Sequence, residues 1–410
     1  MNTEQSIVSN LLFYEESRHI LPKINKNWFK DSLLNKLIDV MTTLYYENKP
    51  IDMVSLMKYF SQQDILFIVQ LQQNATGMSS VSYHLQQLEY AYVKENLVQR
   101  ITSLNLTQEL KEMVVDLQKI IDETTFSSHK EPSSIVKVTN KVVDEIVENI
   151  EKGNALTGKQ TGWRSLDKYI GGYNEGDLIV LAGRPGMGKT AIALTLTKDF
   201  AKYNGKALFL SLEMSNEQLA KRYISLIGDI PNYKIRNGSM QKSDMYQIID
   251  IANNQQINFY IDDDADTTIS QIKAKVKLHK SRHGLELLVI DYIQLVKGTK
   301  ANREQEIAEI SRGLKLLAKE LKITVIILAQ LSRKSEERAD KRPMLSDLRE
   351  SGAIEQDADI VMFPFRPAYY DQDKPQIEDA ELIIAKNRNG ECVTIPTLFE
   401  GQYTSYKERI

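Results

Sequence analysis

One eight-residue string limits the folds open to this chain more than anything else in it. Gly183-Arg184-Pro185-Gly186-Met187-Gly188-Lys189-Thr190 fits the pattern G-x-x-x-x-G-K-[ST]. The apolar run from Asp177 to Ala182 precedes it and a helix-forming segment opens near Lys189, the strand–loop–helix order the pattern needs. Its glycines let backbone N–H groups wrap phosphates at a helix N-terminus. Lys189 supplies a point charge toward the β- and γ-phosphates, and the Thr190 hydroxyl is placed to ligate Mg²⁺. An ordinary glycine turn accounts for the string less well than a nucleoside triphosphate site does.

The pattern around the string agrees. From about residue 160, short apolar runs at Leu178–Ala182, Ala207–Leu212, Phe259–Ile261, Leu287–Ile290 and Val325–Ala329 read as buried strands, with helical segments after most of them. That alternation predicts an α/β domain with a mostly parallel sheet. Later runs near Ile360–Phe363, Leu382–Ala385 and Val393–Leu398 have short connections, so the sheet is expected to finish in hairpins. Residues 1–125 read instead as an all-α domain: Leu33, Leu37, Val40 and Leu44 recur at helical spacing, and Tyr83 to Ile121 has few glycine or proline breaks. Between the two lies a linker over 126–160. Within it, at about 135–150, Ile135, Val138, Val142, Ile146 and Ile150 make one apolar stripe on an amphipathic helix. That stripe docks either on its own domain or on a neighbouring subunit. The α/β domain with the nucleotide site is then expected over 161–410.

Composition sets the setting. At 410 residues the chain is most simply two or three domains. Cys392 is its one cysteine, which agrees with a reducing compartment. No apolar run approaches the roughly 18 residues of a membrane span, and MNTEQSIVSN lacks a signal-like pattern; a soluble, cytoplasmic protein without membrane contact is expected. The net charge of −3 excludes nucleic-acid binding by overall charge. Any such binding must use a local patch, a pore or a loop.

Three strand tips carry further chemistry. Leu287-Leu-Val-Ile-Asp291 ends a buried run in a carboxylate at the carboxyl edge of the sheet, where it can hold magnesium through water. Leu208-Phe-Leu-Ser-Leu-Glu213 ends another in an acid, read equally as the base for an attacking water or as the acid at the start of the next helix. Gln330 follows Ile326-Ile-Leu-Ala329, where a neutral amide can bond the γ-phosphate. His279 and His283 stand four apart without the glutamate of a zinc-protease motif, so metal binding is not expected of them.

Together these segments resemble the DnaB family of hexameric replicative DNA helicases, whose motor is RecA-like. The resemblance rests on Thr161-Gly-Trp163 with Leu166-Asp167 and Gly171-Gly172, the phosphate loop, Ser211-Leu-Glu-Met-Ser215, Val289-Ile-Asp-Tyr-Ile-Gln-Leu295 and Leu328-Ala-Gln-Leu-Ser332. Most specific is Asp347-Leu-Arg-Glu-Ser-Gly-Ala-Ile-Glu-Gln-Asp-Ala-Asp359, followed by Lys386-Asn-Arg-Asn-Gly390. It covers nearly all of 155–395, and more loosely Glu4-Gln-Ser6 and Pro50-Ile-Asp52 with Leu56.

The resemblance implies roles that spacing alone leaves open. It makes Glu213 the catalytic base, Gln330 the γ-phosphate sensor and Arg222 a phosphate-side arginine. Lys386 and Arg388, otherwise two exposed bases on a hairpin, become the pair that reaches the next subunit's nucleotide. Arg349, Glu350 and Gly352 become pore-loop residues for single-stranded DNA, and the mixed-charge stretch Arg333–Arg342 before them reads alone as a solvated loop. Six copies facing one pore would concentrate modest charge on the DNA backbone. The implied protein is an ATP- and Mg²⁺-dependent homohexamer that translocates 5′→3′ on single-stranded DNA and unwinds duplex, with primase and a helicase loader as partners. A RecA-type recombinase, a related ring ATPase and a replisome scaffold recruiting primase are the rival readings.

Overall fold

The computed structural model describes residues 3–73, 81–104, 112–113, 116–117, 120, 134–151, 156–203, 205–254, 257–265, 267–298, 302–370 and 375–409. The chain divides into two compact units, Met1–Pro132 and Ser133–Ile410.

The first unit packs α1 (Thr3–Phe13), α2 (Ser32–Tyr46), α3 (Met53–Leu56), α4 (Gln62–Gln73) and α5 (Val81–Thr102) around one apolar core. Asp31 starts α2: its carboxylate accepts from the amides of Leu33 and Leu34 at 2.9 and 3.2 Å, satisfying donors that no helical turn reaches. Glu4 holds the same corner by accepting from the amides of Lys30 and Asp31. The buried face of α2 is Leu34, Leu37, Ile38, Met41 and Leu44, whereas Leu33 and Val40 are only partly buried. The expected stripe was therefore rotated by one position at two of its four members, because spacing of three and four residues admits both faces. The helical segment expected from Tyr83 to Ile121 is seen as α5 up to Thr102, and most of its remainder beyond Leu104 lies outside the described residues.

The second unit opens with α6 (Ile135–Glu151). The stripe faces solvent: Ile135 is 76%, Val142 45% and Ile150 73% exposed. The linker stretch 126–133 lies outside the described residues.

The rest is one nine-stranded sheet in the order β3-β2-β4-β5-β1-β6-β7-β8-β9. Its strands are β1 (Leu178–Gly183), β2 (Ala207–Ser211), β3 (Phe259–Asp262), β4 (Leu287–Asp291), β5 (Thr324–Gln330), β6 (Ile360–Phe365), β7 (Ile377–Asn387), β8 (Val393–Glu400) and β9 (Ser405–Glu408). Strands β1 to β6 pair in parallel, and β6 to β9 in antiparallel. Successive residues of β1 enter opposite cores. Leu178, Val180 and Ala182 pack toward α12 (Ile269–His283) and α13 (Arg303–Leu321); Ile179 and Leu181 pack toward α8 (Lys189–Lys202). Covering both faces of a parallel sheet is what makes these strands continuously apolar. The start of β1 is fixed by a buried cluster: the Asp359 carboxylate accepts from the Leu178 amide at 2.8 Å and pairs with Lys315, whose ammonium also donates to the Gly176 carbonyl at 2.7 Å.

Candidate functional site

Strand β1 lies between β5 and β6, and the phosphate loop leaves its carboxyl end to enter α8. This is the crevice where open α/β sheets bind ligands. Gly186 and Gly188 sit at φ +84° and +82°, a region that side chains other than glycine occupy only under strain. The Lys189 ammonium donates to the Gly183 carbonyl at 2.8 Å. Burial lowers its pKa, against the pull of Asp291 and Glu213.

Strand register gathers the predicted tips. Gly183 stands opposite Gln330 across β1 and β5, and Ser211 opposite Asp291 across β2 and β4. The Thr190 hydroxyl donates to one oxygen of Asp291 at 2.7 Å. The other oxygen of Asp291 is buried and accepts no hydrogen bond from the described residues. Burial pushes this carboxyl up to about 6, and Glu213 adds to the rise against the Thr190 hydrogen bond, Lys189 and Arg222.

Glu213 is exposed, two residues beyond β2. It does not cap the following helix, α9 (Asn216–Gly228). That cap is Ser215, which exchanges hydrogen bonds with Gln218 in a capping box. Glu213 instead lines the cleft beside Lys189 and Thr190. Arg222, on α9, is half-buried, and burial lowers its pKa against the pull of Asp291 and Glu213. A cleft of about 380 Å³ is lined by Gly186, Lys189, Thr190, Glu213, Arg222 and Gln330, with a wider one of about 820 Å³ sharing Thr190, Glu213 and Arg222.

Lys386 and Arg388 are not part of this cleft. Asn387 stands opposite Ile360, which stands opposite Ile179 in β1. Gly183 is four residues further along β1, about 13 Å at 3.3 Å per residue. The pair instead clasps the end of α14 (Gly352–Asp357). The Lys386 ammonium donates to the carbonyls of Glu355 and Ala358 at 2.5 and 2.7 Å, and Arg388 donates to the Gln356 carbonyl at 3.2 Å and pairs with Asp359 at 3.4 Å. Burial lowers the pKa of Lys386, and Arg388 adds to the fall.

Arg349 and Glu350 fall in the turn Leu345–Ser351, immediately before α14, and their side chains lie outside the described structure. Gly352 opens α14 in ordinary helical conformation, with nothing within 4 Å of where a Cβ would stand. The stretch Arg333–Arg342 is only in part the solvated loop its mixed charge suggested: Arg333, Lys334, Glu337 and Asp340 are exposed, but three other charges are paired. Arg338 pairs with Asp347, Arg342 with Glu381 at 3.2 Å, and Glu336 with Arg184 of the phosphate loop at 3.0 Å. His279 packs edge-on and His283 tilted against Tyr260, with ring centroids 4.7 and 5.0 Å away.

Two residues at the loop escaped sequence reasoning. Arg366 donates to the Gly186 carbonyl at 2.8 Å and Tyr406 to the Met187 carbonyl at 2.5 Å. Contacts to backbone carbonyls leave no signature in residue type. The available signal was an arginine ending a buried strand, with a glutamate, Glu378, in the next.

Comparison with known proteins covers both units. Residues 158–408 match the DnaB-like helicase C terminal domain and residues 1–90 the DnaB-like helicase N terminal domain. The replicative DNA helicase DnaB of Geobacillus stearothermophilus is 35% identical, over 90% of this chain and 86% of its own length. The replicative DNA helicase DnaC of Bacillus subtilis (strain 168) is 34% identical over the same shares. A solved structure of a DnaB-like replicative helicase and its interactions with primase superposes with a TM-score of 0.76 at 28% identity, over 100% of this chain and 99% of that one. A second solved structure, of an ATPase domain, gives 0.63 at 36% identity, over 68% of this chain and 100% of that one.

Proposed function

The chain belongs to the DnaB-like family of replicative DNA helicases, and from that premise we propose how its residues divide the work. ATP lies with its phosphates along Gly183–Thr190, where loop amides and Lys189 offset their charge. The observation that carries this reading is the convergence of four strand ends on the loop, closed by the hydrogen bond from Thr190 to Asp291.

Magnesium fits the same place. A hydroxyl and a carboxylate are the hard oxygen donors it prefers, and the buried oxygen of Asp291 is without a hydrogen-bond partner among the described residues. Thr190 and Asp291 would hold the ion, which when bound supplies charge neutralisation at the β- and γ-phosphates. Glu213 orients the attacking water and takes its proton. Gln330 bonds the γ-phosphate through its amide, and Arg222 adds a cation on the phosphate side.

Lys386 and Arg388 serve the nucleotide of the next subunit. Their distance from their own loop supports this reading, since no rotamer of either side chain spans about 13 Å of sheet. A homohexameric ring supplies that neighbour, and the exposed stripe of α6 gives the ring an apolar contact to bury. Arg349, Glu350 and Gly352 face the pore and track the backbone of single-stranded DNA, with 5′→3′ translocation. Primase and a helicase loader are the proposed partners; the similar solved helicase is described with primase.

The test is ATP turnover with and without single-stranded DNA, together with unwinding of a forked duplex against strand exchange. Stimulated turnover with unwinding from a 5′ tail is expected, by a species of six-chain mass. Strand exchange without unwinding would point to a recombinase, and an inert motor to a scaffold.

A further inference from the structure

The antiparallel end of the sheet holds the phosphate loop, and two of its residues, Arg366 and Phe399, also line the cleft. Arg366 follows β6 and is 7% exposed. Its guanidinium lies 3.7 Å from the centre of the Phe399 ring in β8, and two of its nitrogens grip the Glu378 carboxylate in β7 at 2.9 and 2.6 Å. The fork is thereby fixed, and its remaining nitrogen donates to the Gly186 carbonyl at 2.8 Å. Tyr406, in β9 and 1% exposed, packs its ring 5.0 Å from the same Phe399 ring and donates to the next carbonyl, that of Met187, at 2.5 Å.

A carbonyl held on one side fixes the amide on the other, because C=O and the following N–H point opposite ways across a trans peptide. Holding the Met187 carbonyl toward Tyr406 turns the Gly188 amide away from Tyr406, and Gly188 lines the cleft. Holding the Gly186 carbonyl orients the Met187 amide, which closes a turn on the Arg184 carbonyl at 3.2 Å. The fit is close: a Cβ on Gly188 would stand 2.9 Å from the Tyr406 ring and 3.3 Å from Phe399.

We propose that Arg366 and Tyr406 are positioning residues for ATP hydrolysis, acting through the Gly186 and Met187 carbonyls to hold the phosphate loop in its phosphate-accepting shape. This rests on the loop's assignment as the ATP site. It gives β7 to β9 a role in nucleotide binding that their distance from the strand-tip acids hides.

The experiment uses the full chain with Tyr406→Phe, which keeps the ring and removes only the donor. Arg366→Lys keeps the charge but cannot serve both Glu378 oxygens and the Gly186 carbonyl. Binding of ADP and of inorganic tripolyphosphate is measured by calorimetry, beside the melting temperature without ligand. Tyr406→Phe is expected to melt within a few degrees of the parent and to bind both ligands about fivefold more weakly, the worth of one hydrogen bond. KM for ATP should rise by the same factor while kcat changes less. Arg366→Lys should lose more, and if it does not fold, Tyr406→Phe decides alone. Unchanged affinity in Tyr406→Phe, whether or not it melts lower, overturns the proposal. So does a loss confined to ADP with tripolyphosphate unaffected, which would put these residues on the nucleoside. Lys189→Ala runs in parallel: if it too leaves both affinities intact, the loop assignment fails, whereas loss there alone refutes only the brace.

Discussion

Thr190 and Asp291, 101 residues apart in the chain, are joined by a 2.7 Å hydrogen bond from the hydroxyl to the carboxylate. The bond ties the residue after the loop lysine to the tip of β4, two strands from β1. It satisfies one oxygen of a buried acid and leaves the other to a partner that must be cationic or a donor.

That arrangement has a pH signature. The Asp291 carboxyl is raised from an ordinary 3.8 to about 6, chiefly by burial. The native chain therefore binds this proton more readily than the unfolded chain. Its charge costs nothing well below pH 3.8, costs more as pH rises toward 6, and costs the full amount above that. Asp291→Asn removes the cost. Nucleotide-free Asp291→Asn is expected to be more stable than the parent at pH 8, by on the order of 2 kcal/mol, with the gap narrowing at pH 5 and ATP turnover lost. Denaturant melts at both pH values check it; a gap independent of pH would refute the account.

Lys189→Ala should abolish ATP turnover while changing stability by no more than about 1 kcal/mol. The ammonium is half-buried and burial already disfavours its charge, so folding gains little from it. The parent should melt higher with ADP present, and the mutant should not. Appreciable turnover in the folded mutant would sink the site assignment.

Arg388→Ala is expected to bind nucleotide normally and hydrolyse it some 10³–10⁵-fold more slowly, the range for arginine fingers. Mixed with Glu213→Ala, it should regain part of the activity, because some interfaces then pair an intact Glu213 with an intact Arg388. If the subunits exchange freely and nothing returns, the residue acts within its own chain.

Val142→Asp tests the exposed stripe of α6. Val142 is 45% exposed in the single chain, so the change should leave the far-UV spectrum nearly intact. A buried aliphatic contact is worth about 1.5–3 kcal/mol, and a charge placed in it should weaken the ring. Turnover should become steeply dependent on protein concentration, and sedimentation should show smaller species. A full ring that unwinds normally would mean the stripe is not an interface.

What the sequence reveals here follows burial. Strands β1, β2, β4 and β5 are covered on both faces, so their residues form apolar runs that announce themselves. Strand β7 was expected only at Leu382–Ala385 but spans Ile377–Asn387, because Glu378, Asp379 and Glu381 interrupt its apolar pattern. Strand β9 went unseen, since only Tyr406 in it is apolar. Around the cleft, Lys189, Thr190 and Asp291 are legible because phosphate and metal chemistry dictate residue type and spacing. Arg366 and Tyr406 act on carbonyls that any residue would offer, so nothing in the one-dimensional pattern marks them. The roles proposed for Lys386 and Arg388 come only from family resemblance, since the chemistry proposed for them concerns another copy of the chain.

The separation of Lys189 from Arg388 along one sheet has an arithmetical result. With Arg388 acting on a neighbour, every copy offers half a site at one edge and the complementary half at the other. Such a contact is head-to-tail, and it repeats until it closes. An open row of n copies then holds n − 1 working centres and one unused half at each end; a closed circle holds n, and a lone copy none. Parting one junction to admit a strand of DNA would therefore silence a single centre and leave the rest running.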